Sequence, residues 1–147
     1  MRLVVQRSKE ASVNYENTVN SISNGLVVLL GMTKGDTTDD ILYLVRKLIN
    51  LRIFEDESHK MNYSIKDIKG SILLVSQFTL YANTKEGNRP SFTDALGYNE
   101  SEKLYNIFIE ELDKTGINIK TGRFGADMKV SLINDGPVTI IIDSKER

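Results

Sequence analysis

Cysteine is absent from the chain, so neither a disulfide framework nor thiol chemistry is open to it. That fits a cytoplasmic location without demanding one. Histidine is almost absent too: the single copy is His59, inside the polar run EDESHKMN. A Ser-His-Asp or Cys-His nucleophile would have to use it. A catalytic imidazole needs a locked tautomer and a nucleophile in reach, and a loop with charges on both sides offers neither. A solvated loop histidine is expected. The three or four soft or imidazole ligands of a zinc site are missing. A carboxylate metal site is conceivable at Asp36, Asp39 and Asp40, but these residues are better explained as acids at a helix N-terminus, where the dipole favours them. Neither GxGxxG nor GxxxxGK[ST] occurs, which removes the dinucleotide and P-loop classes. No metal and no cofactor is implied.

Long apolar runs are lacking as well, and with them any candidate membrane span. The segment MRLVVQRSKE has one basic residue before a short apolar patch and then turns polar, unlike a signal peptide. A net charge of −1 leaves no footprint for a long stretch of nucleic-acid backbone. A nucleic acid held by its end is compatible with it.

What is present is enough for one domain, 1–147, with a core. At 147 residues and 40% hydrophobic content, a chain buries roughly 70 percent of its unfolded surface. LVVQRS (3–8), ASVNYE (11–16) and GLVVLLGM (25–32) read as strands, the last behind the turn signal Asn24-Gly25. Thr37 and Asp40 form a capping-box pattern, and Ile41, Leu44, Val45 and Leu48 then share one helical face. RIF (52–54) is a short strand. SILLVSQFTLYA (71–82) is too apolar on both faces for a solvated strand and belongs in the centre of a sheet. NTKEGNRPSF (83–92) reads as a loop. A second helix is expected from about Ser101 to Lys114, burying Leu104, Ile107, Phe108 and Leu112, with Gly116 as its cap. INIKTG (117–122), MKVSLIN (128–134) and VTIIID (138–143) read as strands. This order is not regular βαβ alternation. It predicts an α+β fold, two helices packed on a mostly antiparallel or mixed, barrel-like sheet, with a homodimer as the common outcome.

Two polar clusters interrupt the apolar pattern. Ser76-Gln77-Phe78-Thr79 follows ILLV directly, either as a strand end turning to solvent or as hydrogen-bonded groups. Thr121-Gly122-Arg123-Phe124-Gly125-Ala126 sets two glycines around an aromatic, as an ordinary loop or as a surface of close approach lined by Phe124. Arg7, after the first strand, reads most simply as a surface or ion-pair residue. A third feature is Gly136-Pro137, placed directly against the strand VTIII. Proline is confined to strand starts, edges and bulges, so the plain reading is a strand-initiating turn. The alternative is a backbone shaped for a task.

Taken together, SQFTL (76–80), NRPSF (88–92), TGRFGADM (121–128) and NDGPVT (134–139), with QR (6–7) and RIFEDESHKMN (52–62), resemble the D-aminoacyl-tRNA deacylase family from Met1 to about Asp143. SQFTL with a downstream NxGPxT is specific, whereas either alone is weak. One departure is His59, where the family usually has glycine before KMN; it lies outside the active-site motifs. The resemblance implies a cytoplasmic homodimer that hydrolyses the ester of tRNA charged with a D-amino acid, and also glycyl-tRNA. By that resemblance Ser76, Gln77, Phe78 and Thr79 hold the 3′-terminal adenosine and the ester, while Phe124 and Gly125 line the pocket and Arg7 belongs to the same site. Gly136 and Pro137 would be the family's Gly-cisPro pair, inserted from one subunit into the active site of the other. In such a pair two carbonyls point into the pocket. An L-amino acid would drive its Cβ into them, a D-amino acid would not, and glycine could not be excluded. The same fold implies rivals: an animal subfamily and a synthetase-linked module that edit L-amino acids, against which an intact SQFTL and the lack of an appended synthetase argue. A non-catalytic nucleic-acid-binding module of this fold would be expected to show a basic stripe.

Overall fold

The computed structural model describes all 147 residues. Its organising element is β1, Arg2–Tyr15, which is one uninterrupted strand rather than the two expected. The polar Lys9-Glu10 pair does not end it, because β8 (Lys129–Asp143) pairs along its whole length and absorbs the irregularity as register shifts between Gln6 and Glu10. On its other edge β1 pairs antiparallel with β3 (Gly25–Gly31) through its first half and with β2 (Thr18–Ile22) through its second. β2 was not anticipated: it is short and mostly polar, and only its pairing with β1 makes it a strand. β3 then runs parallel to β6 (Ser71–Ser76), and β6 parallel to β7 (Asn118–Thr121). Asn20 of β2 donates to the Thr121 carbonyl of β7 at 2.7 Å, drawing the far ends of this mixed sheet toward a barrel-like closure. A two-residue β4 (Phe54–Glu55) pairs with β5 (Met61–Tyr63) and shares only Phe54 with the expected strand RIF.

Period-two alternation explains why ILLV is apolar throughout. Ile72 and Leu74 face the helices beside Leu26, Val28 and Leu30 of β3, while Leu73 and Val75 point into a second cluster with Ala11, Val13, Ile22 and Val27. The helical side is covered by α1 (Thr38–Ile49) and α2 (Tyr98–Asp113). In α1 the expected stripe Ile41, Leu44, Val45 and Leu48 is buried, and the Thr37 amide donates to the Asp40 carboxylate at 2.9 Å, so the shorter acid serves as the capping partner. α2 begins three residues earlier than expected. Ser101 sits inside it, its hydroxyl donating to the Leu96 carbonyl at 3.1 Å. Its fully buried positions are Ser101, Tyr105, Phe108 and Leu112, with Leu104 and Ile107 only half-buried at the margin. The helix is capped at Lys114, two residues before the expected Gly116, which turns the following chain at φ +75°.

SILLVSQFTLYA is not one strand. β6 ends at Ser76, Gln77 N donates to Leu30 O at 2.8 Å, and the chain coils into a 3-10 turn at Phe78–Tyr81. No helix is long and apolar enough to cross a membrane.

Candidate active site

At the end of β6 the loop between β7 and β8 returns over the sheet. Between them and the start of α2 lies a cavity of about 480 Å³. Ser76, Gln77 and Phe78 form one wall, and Phe124, Gly125 and Ala126 the other. The two clusters singled out in the sequence, more than 40 positions apart, are therefore joined in space. Tyr98 and Ser101 of α2 close the third side, and Met128 and Val130 the base. Phe124 is fixed by edge contact with Tyr98, ring centroids 5.2 Å apart, and by Tyr105 at 5.4 Å. Tyr105 is itself tied down by its hydroxyl, which donates to the Leu74 carbonyl at 3.2 Å. Arg123 anchors the loop from outside through Glu16 at 2.7 Å. Tyr98 was not anticipated. A signal existed in its spacing: it stands three residues before Ser101 and seven before Tyr105, in line with the buried positions of α2, although Tyr98 itself is exposed at the first turn.

Tyr98 is the only ionisable side chain in this wall. No carboxylate, imidazole or amine lines it, so the chemistry available is that of hydroxyl, amide and backbone groups. Thr79, expected here, lies just beyond the wall on the exposed side of the 3-10 turn, where its hydroxyl accepts from the Gln77 amide. His59 is far more exposed than any of these, its side chain 89% accessible, and it adopts φ +59°, the left-handed region that favours glycine. Asp36 and Asp40 are occupied structurally. Asp36 accepts from the Met1 amine at 2.6 Å, and Asp40 meets Lys145 at 3.1 Å and Arg147 at 3.3 Å. Burial works against ionising Asp40, but hydrogen bonds from Ser144, the Thr37 amide and Lys145 outweigh it and hold the carboxyl far below its ordinary range. Burial, reinforced by the charges of Asp143 and Asp36, pushes the Tyr81 phenol well above its usual value, and that hydroxyl has no partner.

Gly136 and Pro137 stand elsewhere. They do not line this cavity but lie exposed in β8, where residues 135–138 bow out opposite Arg7 between the pairs Gln6–Thr139 and Ser8–Asn134. MKVSLIN and VTIIID are thus one strand with a four-residue excursion. The Gly136-Pro137 bond is cis. Gly136 has no room for a Cβ, which would overlap the Val138 nitrogen and come within 2.8 Å of Asn134 Oδ1. Arg7 is not a surface residue: it is 6% exposed. Its Nε donates to the Asp135 carbonyl at 2.8 Å and its Nη1 to the Ile53 carbonyl at 2.5 Å. From the other side Asn134 Nδ2 donates to the Arg7 and Val138 carbonyls, both at 3.0 Å. The excursion is held by side chains because the ladder cannot hold it. A larger groove of about 630 Å³, between Lys9, Ser21 and Ser131, contains none of the expected site residues.

The fold and cavity define a small α+β protein whose candidate site works with backbone, hydroxyl and amide groups rather than an ionised side chain. Residues 4–143 match the family model described as D-Tyr-tRNA(Tyr) deacylase, and the chain belongs to that family. It is 52% identical over 147 residues to a Clostridium novyi (strain NT) protein named D-aminoacyl-tRNA deacylase, covering 99% of each chain. It is 53% identical over 146 residues to a Bacillus cereus (strain AH187) protein of the same name, covering 99% of this chain and 100% of that one. Among solved structures, one named c-Myc DNA Unwinding Element Binding Protein superposes with a TM-score of 0.91 at 44% identity, over 97% of this chain and 98% of that one.

Proposed function

We propose that this protein is an ester hydrolase that releases the D-amino acid from D-aminoacyl-tRNA. The observation that carries this reading is full-length membership of the family, with the family's SQF and RFGA segments facing each other across one cavity. Ser76, Gln77 and Phe78 would hold the terminal adenosine and the ester, Thr79 would steady Gln77, and Phe124 with Gly125 would bound the pocket. The first amides of the 3-10 turn, those of Phe78 and Thr79, have no carbonyl of the turn to donate to. They suit an oxyanion that forms as the ester is attacked. A wall without an ionisable base favours attack by water assisted by the substrate's own ribose 2′-OH, the protein supplying orientation. An aminoacyl ester is already activated, so little more is required.

Gly136 and Pro137 would act as the chiral filter in the partner's site of a homodimer, with Arg7 bracing them. Their exposure, and their distance from this chain's own cavity wall, support that assignment, as do the exposed Ile133 and Ile141 on the same strand. The filter works by backbone crowding of an L-Cβ, so glycyl-tRNA would also be hydrolysed. A cytoplasmic location follows from this substrate.

The test is hydrolysis of D-tyrosyl-tRNA and L-tyrosyl-tRNA side by side by the purified protein, without added metal. Loss of the D ester alone is expected; equal rates would refute the filter. Abolition by Thr79→Ala in a folded, tRNA-binding protein, together with no effect of a terminal 2′-deoxy substrate, would overturn the 2′-OH route. A non-catalytic nucleic-acid-binding module is the second reading, favoured by the 44% identical solved structure, which is named for binding a DNA element. Binding of tRNA without turnover of either ester would select it.

A further inference from the structure

The 3-10 turn Phe78–Tyr81 carries Phe78 into the cavity wall, and its entry is fastened by the Gln77 amide on Leu30 O. Its far side is fastened by a residue 78 positions away in the chain. Arg2 Nη1 donates to the Leu80 carbonyl at 3.0 Å. The same guanidinium grips Asp143 Oδ2 through Nε and Nη2, each at 2.9 Å, and rests 5.0 Å above the Tyr81 ring. Gly31, Arg2 and Asp143 are direct neighbours in one row across β3, β1 and β8. The turn sits on that row. A Cβ on Gly31 would come within 2.9 Å of Leu80 Cβ and 3.1 Å of Gln77 O, so the turn lies against bare backbone there.

The geometry points to Arg2 as a positioning residue for ester hydrolysis: clamped by Asp143 and stacked on Tyr81, it binds the Leu80 carbonyl and holds the turn, with its Phe78 and Thr79 amides, in place against Gly31. This rests on the reading of those amides as the oxyanion site. The planar fork of arginine is what allows one group to bind a carboxylate and a carbonyl in fixed directions while lying on a ring; a lysine ammonium retains the charge but not the geometry. Asp143 is only 8% exposed in its side chain, so the clamp is shielded from water, whereas Arg2 at 35% is not part of the core whose removal would unfold the chain.

The experiment measures kcat and KM on D-tyrosyl-tRNA, the rate on L-tyrosyl-tRNA, and the Tm, for the wild type, Arg2→Ala, Arg2→Lys, Asp143→Asn and the Arg2→Ala/Asp143→Asn double variant. Misplacing an oriented group by an ångström costs up to about 100-fold in rate. A fall in kcat of about 10- to 100-fold is expected for Arg2→Ala, with KM changed less than kcat, because the Phe124–Ala126 wall and the α2 side of the cavity are untouched. Arg2→Lys should recover only part of the rate, and the preference for the D ester should persist because the filter lies elsewhere. The double variant should be no worse than Arg2→Ala, since both act through one clamp. An unchanged kcat in Arg2→Ala overturns the proposal. So does a kcat loss that vanishes on cooling below a lowered Tm, which would mark a merely structural role, and so does full activity in Arg2→Lys. Failure of the wild type to hydrolyse either ester overturns the underlying functional reading instead, and this inference with it.

Discussion

Replacing Arg7 tests whether side chains hold the excursion that carries Gly136 and Pro137. Its guanidinium makes two hydrogen bonds to carbonyls, a part-buried one to Asp135 O at 2.8 Å and a buried one to Ile53 O at 2.5 Å. The accompanying ion pairs are weaker: Glu55 is 3.7 Å away and 48% exposed, Asp135 3.4 Å away and 30% exposed, so solvent screens both. The carbonyl bonds decide the magnitude. A hydrogen bond to a charged group contributes about 1.5–3 kcal/mol. Arg7→Ala loses both and leaves two carbonyls wanting donors, for a destabilisation of about 3–5 kcal/mol. Arg7→Lys reaches one carbonyl and should lose about 1.5–3 kcal/mol. A domain of this size shifts its Tm by roughly 2–4 °C per kcal/mol. Urea unfolding and a thermal scan read the stability. The ratio of D- to L-tyrosyl-tRNA hydrolysis, measured well below the Tm, reads the proposed filter. The ratio should fall further in Arg7→Ala than in Arg7→Lys. A folded Arg7→Ala within about 1 kcal/mol of wild type, with the ratio intact, would refute the reasoning.

Asp40 should govern acid stability. Its carboxyl titrates lower in the folded chain than its ordinary value of 3.8, so its contribution is complete above that pH and is lost as pH falls through the folded value. Unfolding free energies of wild type and Asp40→Asn should therefore differ by a constant amount at neutral pH and converge below pH about 4; a gap that stays constant into acid would sink the argument. His59→Gly should stabilise the loop by about 0.5–1 kcal/mol, because a non-glycine residue at φ +59° is strained, and should leave hydrolysis unchanged; chemical denaturation that shows a loss would contradict it. Gly125→Ala should raise KM for the D ester several-fold, since its Cβ would lie 2.5 Å from the Tyr98 hydroxyl and displace that ring from Phe124; steady-state kinetics identical to wild type would show that the ring contact does not shape the site.

Local chemistry was legible without coordinates. The stripe Ile41, Leu44, Val45 and Leu48 and the capping pair Thr37 and Asp40 depend on spacing within a few residues, and they stand as expected, whereas the second helix is capped at Lys114 rather than at Gly116. The apolar ILLV run placed β6 in the centre of the sheet, between β3 and β7. The clusters at 76–79 and 121–126 stood out because polar groups and glycines interrupt apolar strands. The family resemblance followed from their order along the chain. Boundaries were less legible: β1 and β8 each read as two strands, because only their mutual pairing carries them across Lys9-Glu10 and Asn134–Val138.

The chain by itself excluded thiol chemistry and left one histidine; that no carboxylate or amine lines the cavity either is decided by the fold. Tertiary structure alone decided which residues meet. The cavity needs Ser76, Phe124 and Tyr98 from three separate elements. Arg7 reads as an ordinary surface cation until Ile53 and Asp135, 46 and 128 positions away in sequence, turn their carbonyls toward it. Arg2 carries no local signal at all; its partners, Asp143 and Leu80, reach it only when β1 pairs with β8 on one edge and with β3 on the other, where β6 delivers the 3-10 turn. Hydrogen bonds of this kind have no periodicity. They arise from long-range strand register, which fixes partners that spacing along the chain does not encode.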